Sequence, residues 1–139
     1  MTEIRAAASV EEVLAAAELF DEAPERDATA RFLDEPTHHL LLARLEPGGA
    51  DVGFVSGVEV THPDKGTEMM LYELGVDESA RGRGVGRALV QALGALAAER
   101  GCRLMFVLTE TDNEAARRTY ASAGGTEEPD TVVSIVWDL

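Results

Sequence analysis

The chain alternates between short apolar runs of strand length and longer runs in which apolar residues recur at helical spacing. Ser9 and Glu12 form a capping-box pattern ahead of the first helical run, and Pro24 ends that run. Residues 104–108 form a continuous apolar run, which predicts a strand buried on both faces. The predicted strands cover residues 2–7, 39–45, 52–60, 67–76, 104–108 and 132–137, and the predicted helices cover about 10–21, 25–34, 88–100 and 112–124.

This order of elements, spread over 139 residues, predicts one α/β domain that covers residues 1–139. With 45% apolar and 27% charged residues, the chain is expected to fold around a globular core. No apolar run approaches the length that spans a bilayer, and the N-terminus lacks the basic and apolar segments of a secretory signal. We therefore expect a cytoplasmic location and no membrane partner.

Charge and cysteine content narrow the range of partners. The net charge of −14 argues against nucleic acid, because a strongly acidic protein is repelled by phosphate backbones. The same charge suits a cationic substrate, although an acidic surface also serves solubility alone. The single cysteine, Cys102, excludes an internal disulfide, and with three scattered histidines the chain is not expected to bind a metal.

The most informative stretch lies between a predicted strand and the helix that follows it, and has the sequence Arg81-Gly82-Arg83-Gly84-Val85-Gly86-Arg87. Glycines in this Arg/Gly turn let the backbone approach a ligand, and the N–H groups at the helix start favour an anion. The arginines add bidentate donors suited to phosphate. The turn has neither the Gly-Lys-Ser/Thr ending of a P-loop nor the G-x-G-x-x-G of a dinucleotide site. It predicts a phosphate cradle of another kind, with a solvated loop and helix cap as the alternative.

Two motifs connect the chain with a known family. The Arg-x-x-Gly-x-Gly pattern of the turn resembles the pyrophosphate-binding turn of the Gcn5-related N-acetyltransferases (GNAT), which bind acetyl-CoA. Further along, Asn-x-x-Ala-x-x-x-Tyr-x-x-x-Gly resembles the second cofactor motif of that family, at the family's usual distance from the first. Here the motifs consist of Arg81, Gly84 and Gly86, and of Asn113, Ala116, Tyr120 and Gly124. Because both occur in the right order, the chain is identified as a member of this family.

The resemblance implies a fold and a cofactor. It implies the GNAT fold, a mixed central β-sheet of six to seven strands flanked by about four helices, and acetyl-CoA as cosubstrate without a metal. In the family, backbone groups of the strand before the turn pair with the pantetheine arm, and one N–H, assigned here to Val76, faces the thioester oxygen. Ordinary strand residues at this place, and a simple helix-start role for Asn113, are the alternatives. The residues expected to bind the cofactor are Leu74, Gly75, Val76, Arg81, Gly82, Arg83, Gly84, Val85, Gly86, Arg87, Asn113, Ala116 and Tyr120.

Acetyl transfer to an amine needs a base for the amine and a proton for the leaving thiolate. By the resemblance, Tyr120 protonates the sulfur, and a phenol with a reference pKa of about 10 stays protonated at neutral pH. Thr111 and Glu114 form a second capping-box pattern for the helix that carries Tyr120. Glu73 is the first candidate for the base, because a carboxylate among apolar strand residues is unusual and alternation turns it away from both neighbours. A core tyrosine and a solvent-facing glutamate are the alternatives.

The substrate hypothesis depends on the segment around Glu73. This segment, Tyr-Glu-Leu-Gly-Val, followed by the Arg/Gly turn, resembles aminoglycoside 3-N-acetyltransferases, in which an acidic residue at that place meets the substrate amine. Aminoglycosides carry several ammonium groups, so a site for them should be lined with acid. Each carboxylate outside this segment could equally be ordinary surface charge. The residues expected to bind the substrate are Asp21, Glu22, Tyr72, Glu73, Glu110, Glu127 and Glu128.

Together these features predict an acetyl-CoA-dependent N-acetyltransferase that acts directly on a primary amine of a cationic small molecule. Aminoglycoside 3-N-acetylation, and hence antibiotic resistance, is the leading hypothesis. The alternatives are an enzyme for another small amine, a polyamine or a protein N-terminus, and a non-catalytic CoA-binding module. The apolar strand predicted at 132–137 could pair between the subunits of a homodimer or could be internal.

Overall fold

The computed structural model of the protein describes residues 2–129 and 132–139. It contains a mixed β-sheet with α-helices on both faces. The strands are β1 (Glu3–Ala6), β2 (His38–Arg44), β3 (Gly53–His62), β4 (Gly66–Val76) and β5 (Met105–Val107). The α-helices are α1 (Val10–Ala15), α2 (Arg26–Asp34), α3 (Val85–Glu99) and α4 (Glu114–Ser122), with 3₁₀ turns at Ala17–Leu19 and Glu78–Ala80. The strands lie side by side in chain order, with β1 to β4 antiparallel and β5 parallel to β4. The predicted α/β class is confirmed, with five strands in the described residues instead of six or seven.

Two hydrophobic layers hold the helices against the sheet. One lies between the sheet and α3, and the other lies between the sheet and the α1–α2 side. In the second layer the rings of Phe20 and Phe54 stack with their centroids 3.8 Å apart. Successive side chains of β2 point alternately into the two layers, because side chains along a strand alternate between the faces of the sheet. All four central residues of that strand are buried: Leu40, Leu41, Leu42 and Ala43.

A β-bulge at Tyr72 interrupts the pairing of β3 with β4. Ser56 lies opposite Glu73, but the next residue of β3, Gly57, lies opposite Leu71, so Tyr72 is an extra residue on β4. The bulge leaves Tyr72 68% exposed and shifts every later residue of β4 by one position. The expectation of unbroken alternation through this part of the strand is therefore wrong.

The first helix is shorter than its periodicity predicts. The capping box at its start is present, since the backbone N–H of Glu12 donates to Ser9 Oγ over 3.2 Å. The α-helix nevertheless ends at Ala15 and tightens into a 3₁₀ turn, so the prediction of a continuous helix to about residue 21 is wrong. At the end of this 3₁₀ turn, the carbonyl of Leu19 lies directly against Gly75 of β4.

The capping residue predicted for α4 is also wrong. Asn113 caps this helix in place of Thr111, because Asn113 Oδ1 accepts a hydrogen bond from the backbone N–H of Ala116 over 3.1 Å. Thr111 contributes its carbonyl oxygen instead, which accepts from Arg117 Nη1 over 2.7 Å. The helix therefore begins at Glu114.

The largest departures from expectation lie at the outer edge of β5. This strand has 3 residues, all half-buried, and Leu104 and Leu108 beside it are exposed. The expectation of a longer strand buried on both faces is therefore wrong. Residues 132–137, predicted as the final strand, form no strand in the structure. A strand needs a partner, and within the described residues no segment pairs with the outer edge of β5.

Candidate functional site

A large cleft opens where β4 and β5 separate. β5 pairs with β4 only from Met69 to Leu71, whereas β4 continues to Val76. The edge of β4 beyond the paired part forms the floor of a cleft of about 1160 Å³. The start of α3 together with α4 lines its helix side, and residues 18–21, which follow α1, line its loop side.

The floor of the cleft offers unpaired backbone groups. The N–H of Asp77 donates to the carbonyl oxygen of Val52 over 2.8 Å, so the backbone groups of Asp77 face β3. Backbone groups alternate between the two edges of a strand, which turns those of Leu74 and Val76 toward the unpaired edge. The bulge at Tyr72 determines which residues face the unpaired edge, because it shifts the alternation of backbone groups along β4 by one residue.

The Arg/Gly turn leads directly into α3. Gly82 and Gly84 have φ angles of +75° and +81°, a left-handed conformation that glycine adopts without strain. The first hydrogen bond of the helix runs from the N–H of Ala88 to the carbonyl of Gly84, and no side chain caps the helix start. The N–H groups of residues 85–87 therefore precede the helical ladder and, with the helix dipole, favour an anion.

The arginines of the turn keep their charge available. Arg81, Arg83 and Arg87 are exposed, and within residues 2–129 and 132–139 none of them forms an ion pair. Arg81 and Arg87 line the cleft, whereas Arg83 does not. The other residues expected to bind the cofactor all line the cleft. Arg81 and Arg87 thus bring positive charge to the cleft, where hydrogen bonds from Ser79 and the charge of Arg81 lower the pKa of nearby Asp77.

Tyr120 lies on α4 and lines the cleft from the helix side. Its side chain is half-buried, and this burial raises the pKa of the phenol above its ordinary value of 10.0. The phenol is therefore protonated at neutral pH and available as a proton donor. Asn113 and Ala116, on the same helix or at its start, line the cleft as well, although the side-chain oxygen of Asn113 is engaged in capping.

Glu73 connects the floor of the cleft with its loop side. Its Oε2 atom accepts a hydrogen bond from the backbone N–H of Asp21 over 2.9 Å, across 52 positions of sequence. Asp21 and Tyr72, two other residues expected to bind the substrate, line the same cleft. The carboxylate of Glu73 is half-buried and has a second oxygen for a ligand.

Gly75 allows the loop side to lie directly on β4. A Cβ atom at this position would lie 2.1 Å from the carbonyl oxygen of Leu19 and 2.7 Å from Cε1 of Phe54. Only glycine fits such a close approach of two backbones. Glu18, Leu19 and Phe20 line the cleft as a result, and sequence reasoning missed them. A glycine inside a strand is the signal that could have found them.

The remaining predicted carboxylates do not line the cleft, although two of them directly follow residues that do, Asp21 and Thr109. The four are Glu22, Glu110, Glu127 and Glu128. Glu127 is engaged elsewhere, because Arg117 of α4 donates two hydrogen bonds to its carboxylate, at 2.9 and 3.1 Å. These bonds lower the pKa of Glu127. The carboxylates that line the cleft are instead Glu18, Asp21 and Glu73 toward the loop side, with Asp77 and Glu78 just before the Arg/Gly turn.

The described part of the chain shows neither a metal site nor a cysteine in the cleft. No group of three or more His, Cys, Asp or Glu side chains among residues 2–129 and 132–139 could hold a metal ion. Cys102 lies outside the cleft, and burial raises the pKa of its thiol. No helix in these same ranges has both the length and the apolar character needed to cross a membrane.

Comparison with known proteins assigns the family. The model of the acetyltransferase (GNAT) family matches residues 6–124. The chain therefore belongs to the acetyltransferase (GNAT) family, whose members use acetyl-CoA, and the prediction made from the two motifs is confirmed at this level.

Curated relatives differ in what they act on. An L-2,4-diaminobutyric acid acetyltransferase of Bordetella parapertussis is 33% identical over 116 residues, which cover 78% of this chain and 59% of the relative. The N-alpha-acetyltransferase RimI of Mycobacterium tuberculosis is 35% identical over 94 residues, which cover 68% of this chain and 56% of the relative. The chain thus spans little more than half the length of these relatives.

Solved structures share the whole fold. An aminoglycoside acetyltransferase from an uncultured soil metagenomic sample, in complex with sisomicin, superimposes with a TM-score of 0.87 at 20% identity over 99% of this chain and 96% of that one. The structure of AAC(6')-Iy in complex with the bisubstrate analog CoA-S-monomethyl-acetylneamine gives a TM-score of 0.83 at 21% identity, over 100% and 99% of the two chains. At such identities the likeness concerns the fold alone.

Proposed function

We propose that this chain is an acetyl-CoA-dependent N-acetyltransferase that transfers acetyl directly to a primary amine of a cationic small molecule. One observation carries the proposal. The Arg/Gly turn, the unpaired edge of β4, Tyr120 and Glu73 all line a single cleft. A cleft with positive charge at its helix side and carboxylates at its loop side suits an anionic acetyl carrier and a cationic amine.

The residues of the helix side fit acetyl-CoA. The N–H groups at the start of α3 and the guanidinium groups of Arg81 and Arg87 suit a pyrophosphate, which accepts charge-assisted hydrogen bonds. The backbone groups of Leu74 and Val76 suit the amides of the pantetheine arm, which would then pair along β4 as a strand does. Arg83 does not line the cleft, so this assignment includes no contact from it.

The reaction then needs two proton transfers. Acetyl-CoA supplies the acetyl group as a thioester. Glu73 takes a proton from the amine while the amine nitrogen forms its bond to the acetyl carbon, and the backbone N–H of Val76 stabilises the charge that develops on the acetyl oxygen. As the carbon–sulfur bond breaks, Tyr120 gives its proton to the thiolate. Both residues return to their starting states by proton exchange with water.

An aminoglycoside is the acceptor that we place first. Glu18, Asp21 and Glu73 bring three carboxylates to the loop side, which matches a ligand with several ammonium groups. Two solved structures of the same fold are aminoglycoside acetyltransferases by name. The 3-N position, predicted from the segment around Glu73, remains a prediction of regiochemistry within this class.

A smaller diamine is the second candidate. The relative from Bordetella parapertussis is an acetyltransferase for L-2,4-diaminobutyric acid, and its sequence identity to this chain is higher than that of the two solved structures. A diamino acid carries a carboxylate as well as its ammonium groups. It would therefore have to bring this carboxylate into an acid-lined region, which costs desolvation and like-charge repulsion.

Thiol release from acetyl-CoA across a panel of amines tests the proposal. The panel contains gentamicin, kanamycin, apramycin, spermidine, 2,4-diaminobutyrate and a peptide with a free N-terminus. We expect saturable release with an aminoglycoside, and mass spectrometry with NMR of the product then identifies the acetylated nitrogen. Release only with the diamino acid, polyamine or peptide would keep the enzyme class and discard the aminoglycoside. Saturable acetyl-CoA binding without release for any amine would favour the non-catalytic module.

A further inference from the structure

A second, smaller cavity adjoins the cleft at Tyr120. It is an open groove of about 340 Å³ between α3, β5 and the end of α4. Val107 and Tyr120 line both the groove and the cleft, so the two spaces meet at the residue that would protonate the leaving thiolate. The proposed transfer of acetyl uses the cleft and leaves this groove without a role.

The groove differs from the cleft in its chemistry. None of the described residues that line it carries a charge, whereas the cleft is lined by arginines and carboxylates. Its walls include the side chains of Leu71, Val90, Met105 and Phe106. A cationic amine would lose its hydration here without gaining a partner, which is costly. The groove therefore suits an uncharged, apolar group.

Glycines provide the space in the groove. Gly94 of α3 lines it, and so do Gly124 and Gly125, which follow α4. A Cβ atom at Gly94 would have Met105 Cε as its one neighbour within 4 Å, at 3.5 Å, and one at Gly124 would have none. Met105 is unbranched and flexible, so the groove can adapt to ligands of different length.

The direction of the cofactor brings its acyl end to this groove. In the proposed function the pyrophosphate lies at the Arg/Gly turn, and the pantetheine arm runs back along β4 from Val76 to Leu74. The thioester then lies near Tyr120, where β4 and β5 separate after the last pair, Leu71 with Val107. Carbon atoms beyond the acetyl group would continue past Val107 and Tyr120 into the groove.

We propose that this groove holds the acyl chain of donors longer than acetyl-CoA, so that the protein also transfers short- and medium-chain acyl groups to its amine. The inference rests on the proposed function, because it needs the thioester at Tyr120. The chemistry is that of acetyl transfer: the amine nitrogen bonds to the carbonyl carbon, the carbon–sulfur bond breaks, and the thiolate takes the proton of Tyr120. The chain itself contributes binding alone.

Calorimetry with a series of acyl-CoA donors, in the absence of any amine, gives the first test. Each methylene that leaves water for the groove should raise the affinity by up to about fourfold. We therefore expect hexanoyl-CoA to bind at least about tenfold more tightly than acetyl-CoA, with butyryl-CoA between them. Affinity that stays level or falls along the series would overturn the acyl groove alone. Failure of acetyl-CoA itself to bind would overturn the proposed function as well.

Filling the groove shows where the chain lies. Gly94→Leu places a branched side chain opposite Met105, and the ratio of hexanoyl-CoA to acetyl-CoA affinity should fall to about one. Ala95→Leu is the matched control, because Ala95 is an exposed residue of α3 that lines neither the groove nor the cleft. This control should keep the wild-type ratio. A ratio that persists in Gly94→Leu would place the chain elsewhere and overturn the proposal.

Turnover completes the test. Thiol release from hexanoyl-CoA, with the amine that the wild-type protein acetylates, should reach a kcat/KM at least equal to that with acetyl-CoA, and mass spectrometry should show the hexanoyl amide. Acetyl transfer without hexanoyl transfer would overturn the further activity and leave the proposed function intact. Transfer of neither group, together with the rise of affinity along the series, would leave the acyl site in place and overturn the proposed function.

Discussion

The helix side and the loop side of the cleft are built in different ways. The helix side takes its charge and its N–H groups from residues 81–88, a single continuous stretch. The loop side depends on contacts between residues 18–21 and β4, such as the hydrogen bond from Asp21 to Glu73 across 52 positions. A site made by one local stretch tolerates change elsewhere, whereas a site made by long-range contacts changes whenever either partner moves.

The two sides also differ in the sign of the charge that their side chains carry. Within a chain of net charge −14, Arg81 and Arg87 line the helix side and form no ion pair among the described residues, whereas Glu18, Asp21 and Glu73 line the cleft toward the loop side. If the proposed function is right, variants on the helix side should change the affinity for acetyl-CoA, and variants on the loop side should change the kinetics of the amine. Tyr120, which would act at the junction, should change neither affinity but only turnover.

The largest effect is expected for Tyr120→Phe. Removing the proton donor should lower kcat by about 10²–10⁴-fold, while acetyl-CoA affinity, measured by calorimetry, stays within a factor of about two. The phenylalanine preserves the half-buried ring, so a loss of turnover would belong to the hydroxyl. Unchanged kcat would remove Tyr120 from the mechanism, and a protein that binds acetyl-CoA but never turns over would be the non-catalytic module.

The pH profile tests the same hydroxyl. The acid must be protonated to act, and burial raises the pKa of Tyr120 above 10.0. Activity that depends on this proton should therefore be fully present at neutral pH and be lost only as the pH rises through that raised value. A decline of kcat that begins near pH 8, and disappears in Tyr120→Phe, would contradict the raised pKa.

Glu73→Gln separates the proposed role of Glu73 as a base from its role as the hydrogen-bond acceptor that holds the loop. Glutamine keeps an oxygen that can accept from the N–H of Asp21, so the loop should stay in place, but it cannot take a proton. We expect kcat to fall by about 10²-fold with acetyl-CoA affinity unchanged. Glu73→Ala removes the anchor as well and should also raise the KM for the amine. If both variants behave alike, the hydrogen bond to Asp21 has no part in positioning the acceptor.

Arg81→Ala tests the helix side. Loss of one charge-assisted hydrogen bond to a phosphate should weaken acetyl-CoA binding by about 10- to 100-fold, with the KM for the amine little changed. Arg31→Ala is the matched control, because Arg31 is an exposed arginine of α2 that lies outside the cleft. Equal affinity in both variants would show that the Arg/Gly turn does not hold the pyrophosphate.

The sequence predicted the helix side better than the loop side, because adjacent residues form the helix side and long-range contacts form the loop side. The Arg/Gly turn acts through adjacent residues, so its glycines and helix start could be recognised locally, and all but one of the predicted cofactor residues line the cleft. The loop side depends on the bulge at Tyr72 and on the contact of Leu19 with Gly75, neither of which has a periodic signal. Glu127 and Glu128 do not line the cleft, and Glu127 is engaged by Arg117 through a contact across 10 positions that no local pattern announces.

The smallest effect, and the most specific for the loop side, is expected for Gly75→Ala. The new methyl group would lie 2.1 Å from the carbonyl oxygen of Leu19, so the loop must move away from β4. Overpacking of this kind should lower the free energy of unfolding by about 1–3 kcal/mol, measured by urea denaturation. The displaced loop should also raise the KM for the amine several-fold, whereas acetyl-CoA affinity should not change.

Gly94→Ala provides the control for this substitution. A Cβ at this position in α3 would meet only Met105 Cε, at 3.5 Å, which is ordinary van der Waals contact. Alanine is the better helix former by about 1 kcal/mol, so stability should stay equal or rise. If Gly75→Ala left both stability and the amine KM at the level of this control, the loop would not rest on β4. The loop side would then be no more sensitive to distant contacts than the helix side.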